Sequence, residues 1–131
     1  MSNTKDSLVT SQRKTKIILG MVTNASEPSP FSLRMKTARL AIGISQMELG
    51  VRAGIDECSA SARINQYERG KHAPDFLTVR NLAKVLAVPT AYFYTEEDDL
   101  AEFLLTYGRL PSSKRTTLLN SAFALRAEPT L

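Results

Sequence analysis

Between Ser45 and Gly70 the chain reads SQMELGVRAGIDECSASARINQYERG, two short helix signatures on either side of a glycine-marked turn. No other stretch limits the fold so strongly. Ser45 followed three residues later by Glu48 is a capping box, in which the hydroxyl and the carboxylate each satisfy an amide left unpaired at a helix start. The spacing predicts a helix from Gln46, with Met47, Leu49, Val51 and Ala53 turned partly inward. Gly54 stands where a helix C-terminus needs a residue that tolerates the left-handed conformation. Beyond the turn, Ser59 or Ser61 is placed to cap a second helix in which Ala60, Ile64 and Tyr67 recur at helical spacing and which Gly70 ends. Its other face carries Ser61, Arg63, Asn65, Gln66 and Arg69, side chains that hydrogen-bond base edges or phosphates.

The surroundings of this pair set its context. A chain of 131 residues with 43% apolar content holds one domain with a real core. The net charge of +4 suits a polyanionic partner, and its distribution is uneven. Residues 31–94 carry nine Lys or Arg against five Asp or Glu, whereas 95–110 carry one against five. The acidic segment is expected to face away from a polyanion. The single cysteine, Cys58, excludes an internal disulfide and a cysteine metal cluster, as expected of a reducing compartment. The sequence offers no membrane-length apolar run and no secretory signal core, so the protein is expected to be cytoplasmic and without membrane contact.

In chain order, residues 1–30 read as a flexible N-terminal arm, with a basic cluster at Arg13, Lys14 and Lys16. A candidate strand at 17–22, IILGMV, either packs loosely on the helices or pairs with its copy from a second subunit. Asn24–Pro30 has linker chemistry. An amphipathic helix capped near Ser32 and ended by Gly43 follows, with Leu33, Leu40, Ala41 and Ile44 as its apolar side. After the central pair, Asp75 caps a helix from Phe76 whose core side is Leu77, Val79, Leu82, Val85 and Leu86. Pro89 opens a short helix, PTAYFY, whose Tyr92 and Phe93 plug the core. Residues 95–131 form a C-terminal extension. Leu100, Phe103, Leu104 and Tyr107 line one helix there, and Leu118, Leu119, Ala122, Phe123 and Leu125 another, capped by Ser112 or Ser113. These two segments suggest a helical hairpin whose apolar face needs cover, from its own domain or from a second subunit.

The strings ISQMEL, AGI, INQYERGKHAPD and LAKVLAVPTAYF, in that order over about residues 33–94, resemble the Cro/lambda-repressor type of helix-turn-helix proteins, the xenobiotic-response-element family. The resemblance implies an all-α fold: a five-helix domain at 31–94 that binds double-stranded DNA, with the helix at about 60–69 in the major groove. It departs after Ile55, where the family has a turn shorter by about four residues and DECSA looks like the added material. Matched position by position, Ser61, Ala62, Arg63, Asn65 and Gln66 fall on base-reading positions, since Arg bonds both acceptors of guanine and Asn or Gln pairs with adenine. Arg34, Lys36, Gln46, Arg69 and Lys71 fall on phosphate-contacting positions, and Arg39 and Glu68 on a structural ion pair. The implied protein is a transcriptional regulator of repressor type, acting as a homodimer because one helix reads only a few base pairs.

Two rivals carry less weight. For an enzyme, His72 is the sole histidine and sits in a connection, and the acids Glu96, Glu97, Asp98 and Asp99 read as a helix-start charge run. No nucleophile motif, metal spacing or phosphate loop is present, so no catalytic residue, metal, cofactor or small-molecule ligand is expected. An antitoxin-like or co-activator-like protein-binding module shares the fold, but it would be expected to place aromatics where the 60–69 helix places polar groups.

Overall fold

The computed structural model describes residues 29–129. The N-terminal arm to residue 28, with the expected strand at 17–22 and the Arg13, Lys14, Lys16 cluster, lies outside the described residues. Among the described residues the fold is all-α, with no strand. The elements in order are α1 (Phe31–Ile42), α2 (Gln46–Arg52), α3 (Glu57–Glu68), α4 (Phe76–Leu86), a 3₁₀ helix (Thr90–Tyr94), α5 (Asp98–Arg109) and α6 (Ser112–Ala127).

Helix α1 buries Phe31, Met35, Ala38 and Arg39, the i, i+4, i+7, i+8 stripe of one helical face. Leu33 and Leu40, expected inside, are 66% and 59% exposed, and Ala41 is exposed as well. The buried side of α1 is not its most apolar side, because a charged residue, Arg39, occupies the buried stripe. Ser32 is not the cap either. Its hydroxyl donates to the Tyr67 carbonyl at 2.6 Å and ties α1 to the end of α3, while the Phe31 amide donates to Ser29 Oγ. Gly43, at φ 73°, closes the helix in the left-handed conformation.

At α2 the Ser45 hydroxyl accepts the Glu48 amide at 3.0 Å, while the Glu48 carboxylate turns to Arg52 at 2.5 Å. Leu49 is fully buried and Ala53 nearly so, but Met47 and Val51 remain nearly half exposed. Gly50 is where α2 crosses α3: a Cβ there would stand 2.8 Å from the Ala60 Cβ. The turn occupies only residues 53–56, with Gly54 at φ 91° and the buried Ile55 donating its amide to the Gly50 carbonyl at 2.9 Å. The DECSA residues therefore do not lengthen the turn. Asp56 takes the N-cap position and Glu57 to Ala60 wind into the first turn of α3, so neither Ser59 nor Ser61 is a cap. The seat of Ala60 on Gly50 holds that register, and Glu57 to Ala60, expected as turn, are helix.

Helix α4 starts where Asp75 Oδ1 accepts the Thr78 amide at 2.9 Å. It buries Val79, Leu82, Ala83 and Leu86, whereas Leu77 is 55% exposed, one position off the buried stripe. Tyr92 and Phe93 of the 3₁₀ helix are core plugs, with Phe93 and Phe31 ring centroids 5.0 Å apart.

The C-terminal segment divides in two. Helix α5 joins the body: Ala101 is buried and Leu105 packs on the core. Helix α6 buries no residue of its own. The two helices do not pack along one another, so the expected hairpin is an open corner. Pro111 takes the N-cap position of α6 with no side-chain capping bond from either serine, and Arg115 secures the corner by donating to the Tyr107 and Gly108 carbonyls at 3.0 and 2.8 Å. Among the described residues, no helix is long and apolar enough to cross a membrane.

Candidate nucleic-acid interface

Helix α3 presents its polar side because Ala60, Ile64 and Tyr67 commit the opposite side to the core. Ser61, Ala62, Arg63, Gln66 and Arg69 are exposed and Asn65 is half-buried. Beneath this face lies a polar lock. Glu68 accepts from Arg39 Nε at 2.5 Å and Nη2 at 3.3 Å, and Arg39 also donates to the Ile44 carbonyl at 2.9 Å. The two side chains are only 11% and 4% exposed, so the pair is taken out of water and joins α1 to α3.

The lock extends to Gln46 at the start of α2. Its amide nitrogen donates to Glu68 Oε2 at 2.7 Å and to Asn65 Oδ1 at 3.3 Å. Both amide hydrogens are thereby committed, leaving a carbonyl oxygen that a phosphate oxygen cannot bond. A phosphate contact from this side chain requires it to release one of these bonds. The same arrangement fixes Asn65: with its carbonyl oxygen held by Gln46, its amide group is the end left to act outward, as a donor.

Among the residues expected at phosphates, Arg69 and Lys71 are exposed at the end of α3, and Lys36 is exposed on α1. Arg34 is a correction. Its guanidinium donates to the carbonyls of Thr95 and Glu96 at 2.9 and 3.0 Å and to Asp98 at 3.1 Å, and lies 5.7 Å from the Tyr92 ring centroid. It clasps α5 to the domain. Two residues along a helix are about 200° apart around its axis, so Arg34 and Lys36 cannot serve one surface. Ser32 and Arg39, which bond α3, mark the side nearer Lys36.

Burial raises the Tyr67 hydroxyl above its ordinary pKa, with Arg63 opposing the shift and Asp75 adding to it. The phenol therefore stays neutral under Arg63. Glu57 and Cys58, expected in the turn, are instead exposed in the first turn of α3. The signal was Asp56, an acceptable N-cap residue placed directly after the Gly54 turn.

Two helices across a tight turn, the second showing a polar face and locked from below, make a helix-turn-helix unit. A family model described as helix-turn-helix matches residues 35–93. The transcriptional regulator BswR, known from a crystal structure, is 45% identical with a TM-score of 0.67, over 71% of this chain and 92% of that one. The chain belongs to this helix-turn-helix family of transcriptional regulators. It is also 28% identical over 80 residues to uncharacterised HTH-type transcriptional regulators of Sinorhizobium medicae and Rhizobium meliloti. That match covers 58% of this chain and 55% of theirs, so the chain spans about half the length of these curated relatives.

Proposed function

We propose that the protein is a sequence-specific DNA-binding transcriptional regulator that represses by seating on a promoter and occluding polymerase, a task that needs no catalytic group and no cofactor. The observation that carries this reading is the outward side of α3, where Ser61, Arg63, Asn65 and Gln66 stand over the Gln46–Glu68–Arg39 lock. Base reading needs side chains held in one geometry, and the lock supplies that for Asn65. Lys36, Arg69 and Lys71 supply phosphate contacts, which set affinity and not sequence preference. Residues 31–94 are the DNA-binding unit, and the protein works in the cytoplasm at the nucleoid.

Site selection from random duplexes tests this. A single enriched site is expected, with Arg63→Ala and Gln66→Ala each weakening binding to it by about 1–3 kcal/mol and to random duplexes far less. Equal weak binding to every duplex, fading steeply with salt, would instead favour a protein-binding module on the same fold.

The working form is a homodimer paired through the C-terminal extension, 95–131. Leu100, Phe103, Tyr107, Leu119, Phe123 and Leu125 are each 38–68% exposed on α5 and α6, and among the described residues nothing buries any side chain of α6. Large apolar groups in contiguous helices favour association by about 1.5–3 kcal/mol for each one fully buried. In sedimentation, the full chain carrying Leu119→Glu and Phe123→Glu is expected to be monomeric; if it dimerises as the wild type does, pairing lies elsewhere.

A further inference from the structure

Where the end of α4, the 87–89 connection, the start of the 3₁₀ helix, the end of α5 and the start of α6 meet, they border an open cleft of about 530 Å³. Ala83, Val88 and Leu104 give it apolar walls, and Arg80, Lys84 and Arg115 stand around it. Among the described residues no carboxylate lines it and none of these three cations is in an ion pair. The volume lies within the ordinary range for small-molecule sites, about 300–1,000 Å³. Its floor is set by a tight approach, since a Cβ at Gly108 would meet the Pro89 ring at 3.0 Å.

Arg115 links the cleft to the C-terminal corner. Its guanidinium lies 4.9 Å from the Tyr107 ring centroid and spends Nε and Nη2 on the two carbonyls that end α5. An arginine has five N–H donors, so it retains donors for an acidic group without releasing the corner.

We propose that this cleft binds a small amphipathic anion, a carboxylate on a short aliphatic body, with the head group on Arg80, Lys84 and Arg115 and the body against Ala83, Val88 and Leu104. The charge selects the head group: three cations with no internal acid favour an anion, and apolar walls favour a tail over a bare ion. Because Arg115 serves both the ligand and the corner, occupancy stiffens the junction from which α6 departs. The site stands whether or not α3 binds DNA.

The test uses the full chain and titrates octanoate, octan-1-ol and inorganic phosphate separately, following heats of binding and backbone amide resonances. Octanoate is expected to saturate one site, shifting Ala83, Thr90 and Gly108, and to slow amide exchange at Leu110 and Arg115. Arg80→Gln with Lys84→Gln, both at exposed positions outside the core, is expected to weaken octanoate binding about tenfold, the scale of one lost charge-assisted hydrogen bond. Octan-1-ol binding as tightly as octanoate, or phosphate doing so, would remove the amphipathic anion as the ligand class. Shifts confined to the exposed faces of α5 and α6, an unaffected double variant, or unchanged exchange at the corner would likewise overturn the proposal.

Discussion

Replacing Glu68 by Gln strikes the lock while keeping its shape. The carboxylate accepts from Arg39 Nε at 2.5 Å, Arg39 Nη2 at 3.3 Å and Gln46 Nε2 at 2.7 Å, with its side chain 4% exposed. A glutamine offers one acceptor oxygen in place of two, and its amide group would face a donor. Arg39 would then keep its charge out of water with the Ile44 carbonyl as its remaining strong partner. Removing one member of a buried pair costs about 3–5 kcal/mol. Because Ile44 and the new amide oxygen retain part of the bonding, a loss of about 3 kcal/mol is expected. At about 4–8 °C per kcal/mol for a domain of this size, the melting midpoint should fall by about 12–24 °C. Urea and thermal unfolding followed by circular dichroism measure this, at two protein concentrations so that association is separated from folding. Arg39→Met with Glu68→Leu, which removes both charges, should lose less than the two single variants added together. A loss below about 1 kcal/mol for Glu68→Gln, or simple additivity in the cycle, would show that the pair does not act as a buried unit.

Gly50→Ala should destabilise by about 1–3 kcal/mol although alanine favours helix, because the new Cβ meets the Cβ and backbone of Ala60 with no flexible side chain to give way; an increase in the urea midpoint would refute the close crossing of α2 and α3. Thr78, through side-chain and backbone hydrogen bonds, holds the Asp75 carboxyl below its ordinary pKa. A depressed folded value means the cap's contribution is present above the unfolded pKa and is lost as pH falls through the folded one. The difference in melting midpoint between wild type and Asp75→Asn should therefore shrink on acidification, and a constant offset would count against the assignment.

Much of the helix content was legible because it is written locally. Ser45 and Asp75 cap because each is a short acceptor three residues before the amide it takes, and Gly43 and Gly54 stop helices because their positive φ suits a residue with no Cβ. The polar side of α3 was legible for the same reason, since Ala60, Ile64 and Tyr67 fix by period alone which side is left over. The start of α3 at Glu57 is only partly local, since Asp56 is an acceptable N-cap residue and alanine favours helix; what fixes the register is tertiary, the fit of Ala60 against Gly50. So is the inward side of α1, where Arg39 outranks Leu33 and Leu40 because Glu68, 29 residues away, neutralises it. Arg34 and Lys36 read alike as basic residues. Only the packing of α1 shows one clasped by the start of α5 and the other free to the solvent, because a helix turns by about 100° per residue and its neighbours decide which direction is inside.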